Sequence, residues 1–224
     1  MDMTATSWVT WQLLDATLPT GAFAHAGGLE AAAQSHHLDE AGDIERFVDT
    51  SLVELAHNQV PLLAAAHAAP ARLGELDARC DAMLANNVAN RASRAQGQAL
   101  LTAAATAFDH PALDAWRREL RDARLTAHLA PTFGAVTATL GMDATAAQRV
   151  YLYTTMRDLV SAAVRFNRIG SLQAQALQYH LSPHIDRYIR LARHLAPEQA
   201  CQTVSLLDIL QARHDQLYSR LFHS

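Results

Sequence analysis

Lysine is absent from this 224-residue chain, and all 18 of its basic residues are arginine. Codon bias in a GC-rich source explains this most simply. A demand for the planar, bidentate contacts that only a guanidinium makes is the second reading. Cysteine is scarce: Cys80 and Cys201 stand far apart, outside any CxxC or Cys/His ligand spacing, and two isolated thiols point to a reducing compartment. Half of the residues are hydrophobic, many of them alanine, yet no apolar run reaches the roughly 18 residues that a membrane span needs. Positive charge is not in excess. The net charge is -4 and the isoelectric point about 6.3, so there is no overall field to hold nucleic acid by its phosphates. The first arginine is Arg46, and Met1 to Trp8 lack a basic region followed by an apolar core. Neither a secretory signal nor an Arg-rich transit peptide is expected, and the cytoplasm is the expected location. Strand-like alternation, internal repeats, low-complexity tracts and linkers are missing as well.

Apolar residues recur instead at helical spacing along nearly the whole chain. The stripes Phe47/Leu52/Leu55, Leu73/Leu76/Cys80/Met83 and Val150/Tyr153/Met156/Val160/Val164 each trace one buried helix face. Asp43 is expected to cap the first of these helices and Pro61 to kink it, Pro70 to open the second, and Asp143 to cap the third. A further helix is expected from Pro111 to about Leu129, with Arg117, Arg118, Arg121 and Arg124 outward as a solvated or a docking face. A short amphipathic helix after Pro183 carries Arg187, Arg190 and Arg193. The expected fold is all-α, a single-domain compact bundle of about ten helices spanning residues 1–224.

The densest specific sequence is Leu18 to Glu30, LPTGAFAHAGGLE. Pro19 makes a corner, Thr20 can cap a helix starting near Ala22, and Gly27 and Gly28 would then lie inside that helix. Two glycines there cost about 1 kcal/mol each, which close approach of another backbone would offset.

Twelve histidines invite a metal or catalytic hypothesis. His180 and His184 are four apart, but Pro183 breaks the helix that would align them. His36 and His37 suit a helix end, solvated. No glycine-rich phosphate loop, GxSxG elbow or carboxylate pair occurs, which disfavours an enzyme.

The same motifs resemble those of the urease accessory protein UreF, most closely its plant-type members. The first segment matches at Pro19, Gly21, Phe23, Ala24, His25, Gly28, Leu29 and Glu30, and departs at Ala22 and Ala26, where the family favours glycine and serine. Arg91, Ser93, Gln96 and Gly97 match a second segment, HLAPTFG with the Leu-Gly step at 140–141 a third, and RDLVSAAVRFNRIG, with Arg165, a fourth. The chain closes on Leu207, Asp208, His214, Arg220, Leu221, Phe222 and Ser224, as the family does. The resemblance implies a scaffold without chemistry or cofactor of its own. Such a scaffold joins the accessory protein UreD/UreH and the GTPase UreG on urease apoprotein, couples GTP hydrolysis to nickel insertion, and forms a homodimer. A generic helical adaptor, or a metal-dependent enzyme using the histidines, is the alternative.

On that resemblance His25, Glu30, Arg165, Arg220, Leu221 and Phe222 are the expected partner-binding residues. Leu217, Tyr218, Leu221 and Phe222 are expected to form a terminal helical turn with exposed aromatics. Glu30 and Arg165 are expected either at the face shown to the GTPase or in an internal ion pair.

Overall fold

The computed structural model describes residues 5–38, 40–122 and 124–223. Ser224, the last residue of the family-like chain end, lies outside them, as do Asp39 and the side chain of Ser7.

Twelve α-helices and no strand occur among the described residues: α1 Ala5–Leu14, α2 Leu29–Gln34, α3 Ala41–Asn58, α4 Val60–Ala68, α5 Leu73–Met83, α6 Asn87–Ala107, α7 Pro111–Arg121, α8 Leu129–Thr139, α9 Ala144–Arg165, α10 Ser171–Leu181, α11 Ile185–Ala192 and α12 Ser205–Ala212. The all-α expectation holds.

Local chemistry explains most boundaries. The Asn86 side chain accepts from the Val88 and Ala89 amides and starts α6, and Asp143 accepts from Ala146 and starts α9. Pro61 does more than kink a long helix, because the helix breaks at Gln59 and Pro61 falls in the first turn of α4. Asp43 sits three residues inside α3, where its carboxylate accepts the Glu40 amide at 2.9 Å, so Glu40 holds the cap position assigned to Asp43. The helix expected up to Leu129 stops at Arg121. Beyond it the amides of Thr126, Ala127 and His128 donate to Asp77 of α5 at 2.8, 3.0 and 2.6 Å, and backbone held that way cannot stay helical.

Two hydrophobic clusters fill the interior. One gathers α2, α3, α9, α10, α11 and α12, and the other α5 and α7. Helices α4, α6 and α8 supply both, with Leu63, Leu100 and Phe133 facing the first and Leu62, Leu101 and Val136 the second. These helices touch backbone to backbone. A Cβ on Gly134 would lie 2.2 Å from the Leu63 carbonyl oxygen, and one on Gly97 would lie 2.0 Å from that of Ala127. Gly141, by contrast, has nothing within 4 Å and takes φ +74°.

Candidate functional site

The first family-like segment folds as a hinge of short pieces. Ala22–Ala24 form one 3-10 turn after Gly21, His25 is extended, and Gly27 and Gly28 take φ of 57° and 89° before α2 starts at Leu29. The expected helix from Ala22 is therefore interrupted, and the Thr20 cap with it. Both glycines serve a left-handed bend that residues with a Cβ rarely adopt. The expected close approach exists beside that bend, since a Cβ on Gly28 would meet Cγ of Gln211 at 3.0 Å and its backbone nitrogen at 3.2 Å. Gln211, in α12, also donates to the Gly27 carbonyl at 3.3 Å.

Over this hinge lies the chain end. Arg213–Gln216 form a last 3-10 turn, and residues 217–223 run on as a non-helical strap, so the expected helical turn at Leu217 to Phe222 is absent. Glu30, only 1% exposed, points at the strap. Its Oε1 accepts the Leu221 amide at 2.7 Å and its Oε2 the Phe222 amide at 3.2 Å. The carboxylate thus performs the work that strand pairing would do elsewhere. The Gln34 side-chain Nε2 donates to the Ser219 carbonyl at 2.9 Å, and the His223 backbone amide to that of Ala24 at 2.8 Å. Glu30 is therefore a core residue and not a surface one, although it lies directly beneath the exposed strap.

Phe222 is 5% exposed and packs against Phe166, ring centres 5.0 Å apart. The Arg165 guanidinium lies between two rings, 3.6 Å from the centre of Phe23 and 4.0 Å from that of Phe222. Burial lowers the Arg165 pKa, against the pull of Asp158, and the Arg165 Nε has no hydrogen-bond partner. Two aromatic faces and the attraction of Asp158 are what favour its charge here. Phe23 is 69% exposed and Tyr218 and Leu221 also face solvent, so the rim of the stack is apolar and accessible. Arg220 approaches Asp215 at 3.6 Å, and Asp215 also takes Arg91 at 2.8 Å.

His25 and His214 complete the group. Desolvation, then the nearby charges of His223, Arg91 and His214, lower the His25 pKa to about 4, so it is neutral at pH 7. His214 is wholly buried, its Nδ1 3.7 Å from Glu30 Oε2, and neither ring nitrogen has a hydrogen-bond partner. Beside the hinge a cavity of about 190 Å3 opens among α3, α6, α9 and α12, lined in part by His25, Asn58, Ser93, Tyr151, Asp158 and Gln211. Burial raises the Asp158 pKa, against the opposing pull of Arg157 and Arg165.

All six residues singled out in the sequence thus meet at one place. The central position of His214 and the stacking of Phe23 are not legible in the sequence, although both residues lie in the family-like motifs. The histidines considered for a metal do not assemble: His180 is exposed at the end of α10, and His184 faces Asp49 at 3.3 Å. Among the described residues no group of three or more His, Cys, Asp or Glu is placed to hold a metal ion. No described helix is long and apolar enough to cross a membrane.

The family pattern UreF matches residues 38–182. This chain belongs to the UreF family. Urease accessory protein F of Oryza sativa subsp. indica is 39% identical over 219 residues, covering 96% of this chain and 84% of the rice protein. That of Arabidopsis thaliana is 39% identical over 225 residues, covering 97% and 92%. The bacterial urease accessory protein UreF of Corynebacterium glutamicum is 26% identical over the full length of both chains. The likeness thus reaches beyond the matched pattern to the hinge and the strap, the two segments that build the site.

Proposed function

We propose that the chain is a non-enzymatic scaffold of urease maturation. It binds UreD/UreH and the GTPase UreG on urease apoprotein, in the cytoplasm, and couples GTP hydrolysis to delivery of nickel as cargo. The observation that carries this reading is the convergence of hinge, strap and α9 on one platform. Its base is the Glu30 clamp and the Phe23/Arg165/Phe222 stack, and its exposed rim is Phe23, Tyr218 and Leu221. An exposed apolar rim on a fixed base is what a docking surface requires and what a catalytic cleft does not. His25, Glu30, Arg165, Arg220, Leu221 and Phe222 act there in partner binding. Leu221 and the face of Arg220 touch the partner, while Glu30 and Phe222 hold the strap in its docking shape.

The homodimer is assigned to α1. Trp8 and Trp11 are exposed one turn apart, beside a groove between α1 and α6 lined by small side chains such as Ala95, Ala99 and Ala103. Two such surfaces fit each other about a two-fold axis. We also take residues 1–224 as one folding unit, which is supported by α4, α6 and α8 contributing to both hydrophobic clusters.

Reconstitution tests the reading. Urease apoprotein, UreD/UreH, UreG, GTP, bicarbonate and nickel are combined with and without this protein, and active urease is measured. Activation that depends on the protein is the expected result. Equal activation without it refutes the role.

A further inference from the structure

Helix α11 lies beyond the residues matched by the family pattern and takes no part in the platform described above. Ile185, Tyr188 and Ala192 face the core, and Arg187, Arg190 and Leu191 stand exposed on the opposite side, with His194 one turn on. That i, i+3, i+4, i+7 spacing gathers the four on one face. Between Ile185 and Leu195 three arginines oppose one aspartate, a local charge of +2 in a chain whose net charge is -4.

The carboxylates nearest this face have partners elsewhere, although Asp186 also attracts Arg190. Asp186 accepts from Arg149 Nε and Nη2 at 2.7 and 3.2 Å. Asp49 accepts from the Tyr188 hydroxyl and faces His184, and Glu198 pairs with Arg79 at 3.3 Å. Arg193 donates to the His194 ring at 2.8 Å. Arg187 and Arg190 make no ion pair or hydrogen bond among the described residues. A guanidinium has five donors in a fixed fork suited to a carboxylate, and here two forks sit one turn apart with a leucine next to them.

We propose that the outer face of α11 docks an acidic, amphipathic segment of a partner protein, whose carboxylates take Arg187 and Arg190 while an apolar side chain covers Leu191. Charge complementarity favours this occupant over the other anionic surfaces. A nucleic acid held at physiological salt needs more phosphate contacts than two or three arginines provide, and a single leucine offers too little apolar area to enter a bilayer.

The probe is a short fluorescein-labelled helical peptide with glutamates three and four residues apart around a leucine, titrated with the full chain and followed by anisotropy. Oligothymidylate and phosphatidylserine vesicles are titrated in parallel. The expected result is peptide binding that weakens with added salt. It falls about threefold in Arg187→Ala or Arg190→Ala and roughly tenfold in the double variant, with an unchanged circular dichroism spectrum. Arg118→Ala/Arg121→Ala, on the exposed face of α7, leaves it unchanged. Absence of peptide binding, an equal loss in the α7 variant, or tighter binding of oligothymidylate or vesicles overturns the proposal.

Discussion

Replacing Glu30 with glutamine changes one atom of the clamp that fastens the strap. The two oxygens of Glu30 accept adjacent amides, Leu221 at 2.7 Å and Phe222 at 3.2 Å, in a site closed to water. Glutamine keeps one acceptor and turns an NH2 group toward the other amide, so one hydrogen bond is lost and the remaining one loses its charge. A hydrogen bond to a charged group contributes about 1.5–3 kcal/mol, and an amide left unpaired costs a similar amount, so Glu30→Gln should destabilise the closed strap by about 2 kcal/mol. That corresponds to about a thirtyfold rise in the open population. Hydrogen exchange followed by mass spectrometry reads it directly. Peptides covering residues 217–223 should exchange about thirtyfold faster, while peptides from α4 and α8 keep their protection, because the strap can lift without opening either hydrophobic cluster. Unchanged exchange at 217–223 would refute the clamp. Equal acceleration throughout the chain would show that Glu30 supports the global fold instead.

The depressed pKa of His25 sets a pH dependence. Above about 6.5, the ordinary histidine value, the group is neutral folded or unfolded and contributes nothing; as pH falls from there to about 4 only the unfolded chain takes up the proton, so stability should decline over that window. Urea midpoints measured across it should fall less steeply for His25→Gln than for the parent. Deleting Leu217 to Ser224 removes the buried Phe222 ring along with the exposed rim, so the truncated chain should both melt lower and lose UreD/UreH in a pull-down. A lower melting temperature with intact binding would leave the strap a purely internal role. Gly134→Ala forces a methyl against the Leu63 carbonyl of the facing helix and should cost at least about 1–3 kcal/mol in chemical denaturation, whereas Gly141→Ala meets open space and should cost about 1 kcal/mol from its positive φ alone.

Helical periodicity placed most of the helices because the stripes on α5 and α9 are regular and deeply buried. Side-chain caps local in sequence, such as Asp143, were legible for the same reason, while at Glu40 and Asp43 the capping box offered two acidic residues for one cap. Pairings distant in sequence were not legible. Nothing near Leu125 signals that Asp77, about fifty residues earlier, will take three amides and end the helical run. Nothing near Thr203 shows that Glu54 will accept its amide and that of Val204, both at 2.9 Å. Gly27 and Gly28 mark a close approach in the sequence, but spacing alone does not distinguish a packed helix from a left-handed bend. The site followed the same rule. Its members stood out one by one, and their convergence depended on the strap folding back nearly two hundred residues onto Glu30.

Glu30, Glu54 and Asp77 are three buried carboxylates, each accepting the amides of one irregular segment. The loops are therefore keyed individually, one acid to one stretch of backbone. A fastening of that kind can be undone in a single place, so sequence drift or an incoming partner can re-lay the chain end, the approach to α12 or the approach to α8 independently, while the helices between them stay as they are.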